Sequence, residues 1–440
     1  MIRLIGFGAT SLILALYLKS IDIREELIGL FMTLVFAGDL ITSFVIVLIT
    51  DQIGRRLVLI FSSLLMFFTG LTFCFFENYY ILTAVAVLGI FTPSGVEVGP
   101  FRTIEQSSIA SLAPHRDRSD IYAWYTFLGM FCAAFGSFVA GILVDIVHKK
   151  WNHSLVTGYR SVFYMYTFLA GIHVILSLLI SSAIEPNKEP EVIEEQQQDA
   201  NNNTTADDGE ESSTDAIDET TPLVDSIQAK KASKKTKFSL SGALFPKLNP
   251  HTYSIVFKLA LLFGLDAFAS SLTPHSWISY YIKHKFDVPA SYLGSVFFTT
   301  GIVSGFTSLC STSLTKRLGA VVTMVVTHLP ASLLLTIVPL PSSFVMTMII
   351  LVTRASTQSM DVAPKHVFLA TLVADSERTA VFGFVNVVKT LAQTVGPSIV
   401  GILTRNGMQW LTFVIAGTLK STYDLGILAT FLTYNRHNEH

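Results

Sequence analysis

Arg354, Gln358, Asp361 and Lys365 stand four, three and four positions apart inside an otherwise apolar run. On one continuous helix that spacing places all four on a single narrow face. Asp266, Ser270, Thr273 and Trp277 repeat the same spacing in an earlier apolar run. An ionisable side chain at the centre of a membrane helix costs about 2.5–3.5 kcal/mol on insertion scales, so each needs a partner or a task. Two matched polar stripes are therefore expected to line a wet cavity, with Asp266, Ser270, Thr273, Trp277, Arg354, Gln358 and Lys365 as its substrate-facing residues. Arg354 and Lys365 would suit an anionic solute, whereas acids in the same cavity count against one.

Asp361-Val362-Ala363-Pro364 has a counterpart 264 positions earlier, Glu97-Val98-Gly99-Pro100. A proline three residues after the acid weakens the helix locally and frees backbone carbonyls. A carboxyl withdrawn from water binds its proton more tightly and can exchange it near neutral pH. Glu97 and Asp361 are thus the expected proton-coupling residues. Arg102 and Glu105, three apart, are expected to pair with each other near the cytosolic end of their span. Asp39 and Lys389 read as an interdomain pair that fixes packing, and Lys420 and Asp424 as a self-neutralising pair at i, i+4. The lone His173 reads as a hydrogen-bonded packing residue.

The elements that must hold these groups also repeat. Gly54 and Gly319 are 265 apart; Arg118 and Arg378, Gly136 and Gly396, and Gly141 and Gly401 are each 260 apart. A steady offset of more than half the chain implies two copies of one unit, and parallel repeats of six membrane helices mark one large transporter architecture. Apolar runs at 2–19, 27–49, 57–76, 80–106, 120–144 and 161–184 make the first copy. Those at 252–281, 291–313, 319–338, 342–370, 379–403 and 409–432 make the second. The fold class is therefore an all-α membrane protein of twelve transmembrane helices in two pseudo-symmetric halves. The long fourth and tenth runs are expected to extend beyond the hydrocarbon on one side.

Composition agrees. The 440 residues are 51% hydrophobic and only 14% charged, against roughly 25% charged in soluble domains. Three cysteines, all in apolar runs, read as small core residues. No Cys/His cluster suggests a metal, no cofactor is expected, and no basic stripe with interleaved aromatics suggests nucleic acid. No nucleophile–base motif or phosphate loop points to an enzyme. Met1-Ile2-Arg3 and the apolar residues after it read as a first membrane helix, since no small-x-small cleavage site follows.

The two halves, 1–184 and 251–440, flank a polar segment, 185–250, with 14 acids and 7 bases and no apolar period. It is expected to be a disordered cytosolic linker. The short loops nearly balance in Lys and Arg; Lys230, Lys231, Lys234, Lys235 and Lys237 tip the linker, and both termini with it, toward the cytosolic face. The weak acidic motif Glu219 to Val224 leaves the plasma membrane and vacuolar or other endomembranes open.

Asp51-Gln52-Ile53-Gly54-Arg55-Arg56, between the second and third runs, resembles the loop signature of the major facilitator superfamily. Val47 stands where that signature begins with Gly, and Gln52 replaces its basic residue. The resemblance covers the whole chain outside the linker, and residues 93–106 and 358–401 look like a subgroup shared by microbes and fungi. It is the chief ground for cytosolic termini, and it implies that the first, fourth, seventh and tenth helices line a central cavity. It further implies that Asp51, Gly54, Arg55 and Arg56, with Arg102 and Glu105 nearby, form a cytosolic gate. Gly136 to Gly141 lacks the proline of the antiporter signature. The implied function is a monomeric secondary active transporter of a small solute, coupled to protons and embedded in lipid. The rivals are a membrane sensor or scaffold that signals through the linker, and an uncoupled facilitator.

Overall fold

The computed structural model describes residues 1–89, 91–94, 100–112, 114, 118–181, 184–185, 250–372 and 375–437. In the first half, α1 (Ile2–Ser20), α2 (Glu25–Ile53), α3 (Arg55–Phe75), α4 (Tyr79–Leu88), α5 (Pro100–Leu112), α6 (Arg118–Asp145) and α7 (Leu155–Leu179) follow one another. The second half runs through α8 (Pro250–Ser271), α9 (His275–Phe286), α10 (Ala290–Leu318) and α11 (Ala320–Ile337). It continues with α12 (Phe344–Gln358), α13 (Val362–Leu372), α14 (Asp375–Arg405) and α15 (Gln409–His437). Among the described residues, nine single helices are long and apolar enough to cross a membrane. The other three spans are α4 with α5, α12 with α13, and α15, whose Lys420 and Asp424 lower its hydropathy.

Three spans differ from the continuous helices expected of them. The seventh breaks at Leu272–Pro274, because Pro274 lacks the N–H that a continuing helix would bond, and its backbone turns to φ −67°, ψ 157°. The tenth passes through a 3₁₀ turn at Ser359–Asp361 before α13 resumes, three residues ahead of Pro364. The fourth is two helices rather than one long one; residues 95–99, including Glu97, lie outside the described set. The linker, 186–249, lies outside it as well.

Helix ends follow local chemistry. Asn78 caps α4 by accepting from the Tyr80 and Ile81 amides, and Ser154 caps α7 by accepting from the Thr157 amide. Gly54 and Gly319 divide the second span from the third and the eighth from the ninth, with φ/ψ of 101°/149° and 78°/162°. A positive φ of that kind favours glycine, so the two copies make the same turn with the same residue.

Packing brings backbones close where side chains are small. A Cβ on Gly136 would lie 2.0 Å from the Ile5 carbonyl oxygen, and one on Gly396 would lie 1.9 Å from Ser271 Oγ. These glycines therefore let α6 lie on α1, and α14 on α8, at equivalent places in the two halves. Aromatic rings fill the first half's core, with Phe73 stacked on Phe163 at 4.7 Å and on Phe91 at 5.3 Å. Outward-facing Phe68, Phe168, Phe257 and Leu261 suit a surface solvated by lipid.

Candidate functional site

A cavity of about 290 Å³ lies between the halves. Leu4 and Gly8 of α1 and Tyr125, Met130 and Ser137 of α6 line it from the first half. Thr273 and His275 at the break of the seventh span, Val296 and Phe297 of α10, and Arg354 and Gln358 of α12 line it from the second. Of the expected substrate-facing residues, Thr273, Arg354 and Gln358 are therefore at the cavity. Trp277 is fully buried but does not line it.

Asp266, Ser270, Asp361 and Lys365 are drawn together elsewhere, in a buried ion network inside the second half. Lys365 Nζ lies 3.2 Å from Asp266 and 2.9 Å from Asp361. Lys420 of α15 donates to Asp266 at 2.7 Å and to Ser270 Oγ at 2.7 Å. His328 of α11 faces Asp424 through Nδ1 at 2.8 Å, and its Nε2 is 4.0 Å from Asp266. Ser332 donates to Asp424 at 3.0 Å. The rings of Phe263 and Tyr423 bracket the Lys365 ammonium at 5.4 and 5.3 Å. Three carboxylates thus share two lysines and one histidine. Lys420 and Asp424 do not pair with each other as their spacing suggested, because each finds a better-placed partner on another helix.

A second ion pair, fully buried at its arginine, braces the first half. Both guanidinium Nη atoms of Arg3 bond the Glu105 carboxylate, which also accepts from Tyr125 Oη at 2.5 Å. The Phe101 ring lies 4.8 Å from the Arg3 guanidinium carbon. Glu105 joins α5 to α1 and α6; the side chain of Arg102, its expected partner, lies outside the described residues. His173 has the packing role expected of it, 2.6 Å from Ser63 Oγ with Ser177 beside it.

At the loop signature, the backbone amides of Arg55 and Arg56 donate to the Glu185 carboxylate at 2.9 and 3.0 Å. Arg55 Nη1 reaches the Ile184 carbonyl at 3.1 Å, and Arg56 Nη2 reaches the Leu178 carbonyl at 2.8 Å. An anion at a helix N-terminus satisfies amides that have no partner within the helix. Gly54 is tight against this carboxylate: a Cβ there would fall 2.8 Å from it. The side chains of Asp51 and Arg102 lie outside the described set.

The halves meet along two seams, α2 against α14 and α6 against α10. On the first, Thr33 Oγ1 lies 2.8 Å from Ser398 Oγ, and Glu26 is paired with Arg405. At the second, Asp145 accepts from the Ala290 and Ser291 amides at the start of α10. Ser276 of α9 points its hydroxyl at the carbonyls of both Ser11 and Pro93, at 2.8 and 2.7 Å. These links occupy the half of the molecule in which α1 ends. No ion pair joins Asp39 to Lys389, although their helices pack on each other; Lys389 makes none with any described residue.

The sequence reading overlooked Arg3, Glu185, His275 and His328. His328 and His275 carried the signal that marked Asp361, an ionisable group within or at the edge of an apolar run. Arg3 was read only as the start of a span.

A broken-helix cavity between two six-helix halves is the architecture of a membrane transporter. The Major Facilitator Superfamily model matches residues 1–275 and 259–437, and the chain belongs to that family. An uncharacterized membrane protein of Saccharomyces cerevisiae (YJR124C) is 32% identical over 433 residues, covering 98% of this chain and 92% of that protein. Among solved structures, the E. coli xylose transporter XylE in a partially occluded inward-open conformation superposes with a TM-score of 0.63 at 12% identity. That match covers 98% of this chain and 95% of XylE. The nucleoside transporter NupG gives a TM-score of 0.66 at 13% identity, covering 98% of this chain and 96% of that one. These likenesses carry the fold; solute and coupling rest on this chain's own residues.

Proposed function

We propose that this protein is a secondary active transporter that moves a small solute by alternating access and couples it to protons. One observation carries the reading: Asp361 sits at the junction of the two pieces of the tenth span. Ahead of it, α12 presents Arg354 and Gln358 to the cavity. Behind it, α13 places Lys365 in the ion network. A proton on Asp361 removes the partner 2.9 Å from Lys365 and leaves that ammonium to Asp266 alone. The 3₁₀ turn is the weakest backbone between the two pieces, so a change of charge there alters the angle at which α12 meets the cavity. His328, between Asp266 and Asp424, ties the third aspartate into the same network. Glu97 would serve as the first half's counterpart.

The test is uptake of labelled solute into proteoliposomes that carry a luminal pH dye, a readout that does not need net charge movement. D-xylose, uridine, lactate and benzoate are applied in turn, with and without a pH gradient. At least one solute should be taken up in a way that depends on the gradient and is lost in Asp361→Asn, with the protein still folded. Uptake indifferent to pH would leave an uncoupled facilitator. Unchanged uptake and acidification in Asp361→Asn would remove that residue from coupling.

A further inference from the structure

The structure separates two groups of charges that the sequence places on one stripe. Asp266, Asp361 and Lys365 neutralise one another inside the second half, while Arg354 remains at the cavity wall. Arg354 is 9% exposed, and its Nε is buried with no hydrogen-bond partner. Other buried cations are matched: Arg3 bonds Glu105, Lys420 bonds Asp266, and Lys365 sits between two aspartates. Among the described residues Arg354 makes no ion pair, and no carboxylate lines the cavity. A buried charge without a counterion costs several kcal/mol, so the site is incomplete until an anion enters.

The surroundings narrow the anion. A single guanidinium matches one carboxylate in a bidentate pair, whereas a dianion would retain an uncompensated charge. The Gln358 amide, one helical turn along the same face, supplies further donors. Met130, Val296, Phe297 and Leu351 offer apolar surface for the rest of the molecule. A volume of about 290 Å³ suits a small organic acid rather than a lipid or a peptide.

We propose that this cavity binds an organic monocarboxylate, its carboxylate on Arg354 beside Gln358 and its apolar body on the facing walls. The inference rests on the cavity being the solute's route, and it names the class of solute.

The experiment is binding to the purified full-length protein, followed by thermal stability and isothermal calorimetry. The probes are propionate, lactate, benzoate and indole-3-acetate, each beside its uncharged amide, with benzylamine and inorganic phosphate as controls. At least one acid should stabilise the wild-type protein saturably while its amide does not. Arg354→Gln should weaken that acid by on the order of 10- to 100-fold, and Arg354→Lys by less, as a charge without the planar fork. The acid–amide contrast in wild-type protein decides the matter even if Arg354→Gln fails to fold. An amide, benzylamine or phosphate binding in preference to every acid overturns the proposal and leaves the transport reading standing. So does no binding by any acid, because proteoliposome uptake judges transport separately and with uncharged solutes. An acid that binds Arg354→Gln as well as wild type also overturns it.

Discussion

Gly141 and Gly401 do the same work from opposite halves. A Cβ on Gly141 would meet the Ala290 carbonyl oxygen at 2.4 Å, and one on Gly401 would meet the Glu25 carbonyl oxygen at 2.5 Å. Each glycine sits on the fifth helix of its own half and touches the start of the second helix of the other. The repeat in the sequence is thereby a repeat in the joint between the halves.

Filling either contact should damage the joint. Gly401→Val or Gly141→Val inserts side-chain atoms where backbone already stands, and overpacking of this kind costs about 1–3 kcal/mol. Both variants should lower the melting temperature and reduce transport in proteoliposomes. A Gly401→Val protein as stable and as active as wild type would show that the seam tolerates separation.

Glu105→Gln should be among the most destabilising single changes in the first half. It removes the charge that both Nη atoms of the fully buried Arg3 guanidinium bond, and breaking a buried pair from one side costs up to about 3–5 kcal/mol. The double variant Arg3→Met, Glu105→Met should recover part of the loss, since neither charge then remains. Melting curves of the three proteins measure it.

Asp266 and Lys420 should be energetically coupled. Their 2.7 Å bond is buried between α8 and α15; Asp266→Asn leaves Lys420 with only the Ser270 hydroxyl, and Lys420→Met leaves Asp266 to Lys365. Asp266→Asn, Lys420→Met and the combination form a double-mutant cycle with an expected coupling of about 1–3 kcal/mol. Additive effects would mean that Lys365 and Ser270 fully replace the missing partner.

The pair Glu26–Arg405 bridges the seam at an exposed position, so its energy is about 0–1 kcal/mol. Its loss should affect conformation more than stability. With Cys74, Cys132 and Cys310 replaced by serine, a cysteine at position 33 should react faster with a membrane-impermeant maleimide once Arg405→Ala is added. The rise should be no more than about fivefold. An unchanged rate would place the hold on this end elsewhere, with Asp145 at the start of α10.

Periodicity and repetition made the twelve spans and the family legible from residue order alone. The site was legible only up to the breaks. A spacing of four, three and four predicts one face only while the helix stays continuous. In the tenth span the 3₁₀ turn at Ser359–Asp361 resets the phase. Arg354 and Gln358 consequently point into the cavity, and Asp361 and Lys365 into the network. The same happens at Pro274, with Asp266 and Ser270 ahead of the break and Thr273 within it. Lys420 and Asp424 illustrate a second limit. Local spacing proposed a pair, but the choice among oppositely charged partners belongs to the packing of α8, α11 and α15, which no single segment encodes. Glu185, at the edge of a polar tract, gave no sign that it would cap α3.

The Ser276 hydroxyl has one proton and two claimants, the Ser11 and Pro93 carbonyls at 2.8 and 2.7 Å. A clasp that can fully close on only one of two anchors is easily undone. As α9 draws away from one carbonyl, the proton stays with the other, so the helix is handed from neighbour to neighbour instead of torn loose. The route out of this conformation accordingly begins with a low step, and a Ser276→Ala protein, released from both anchors at once, should linger here for less time.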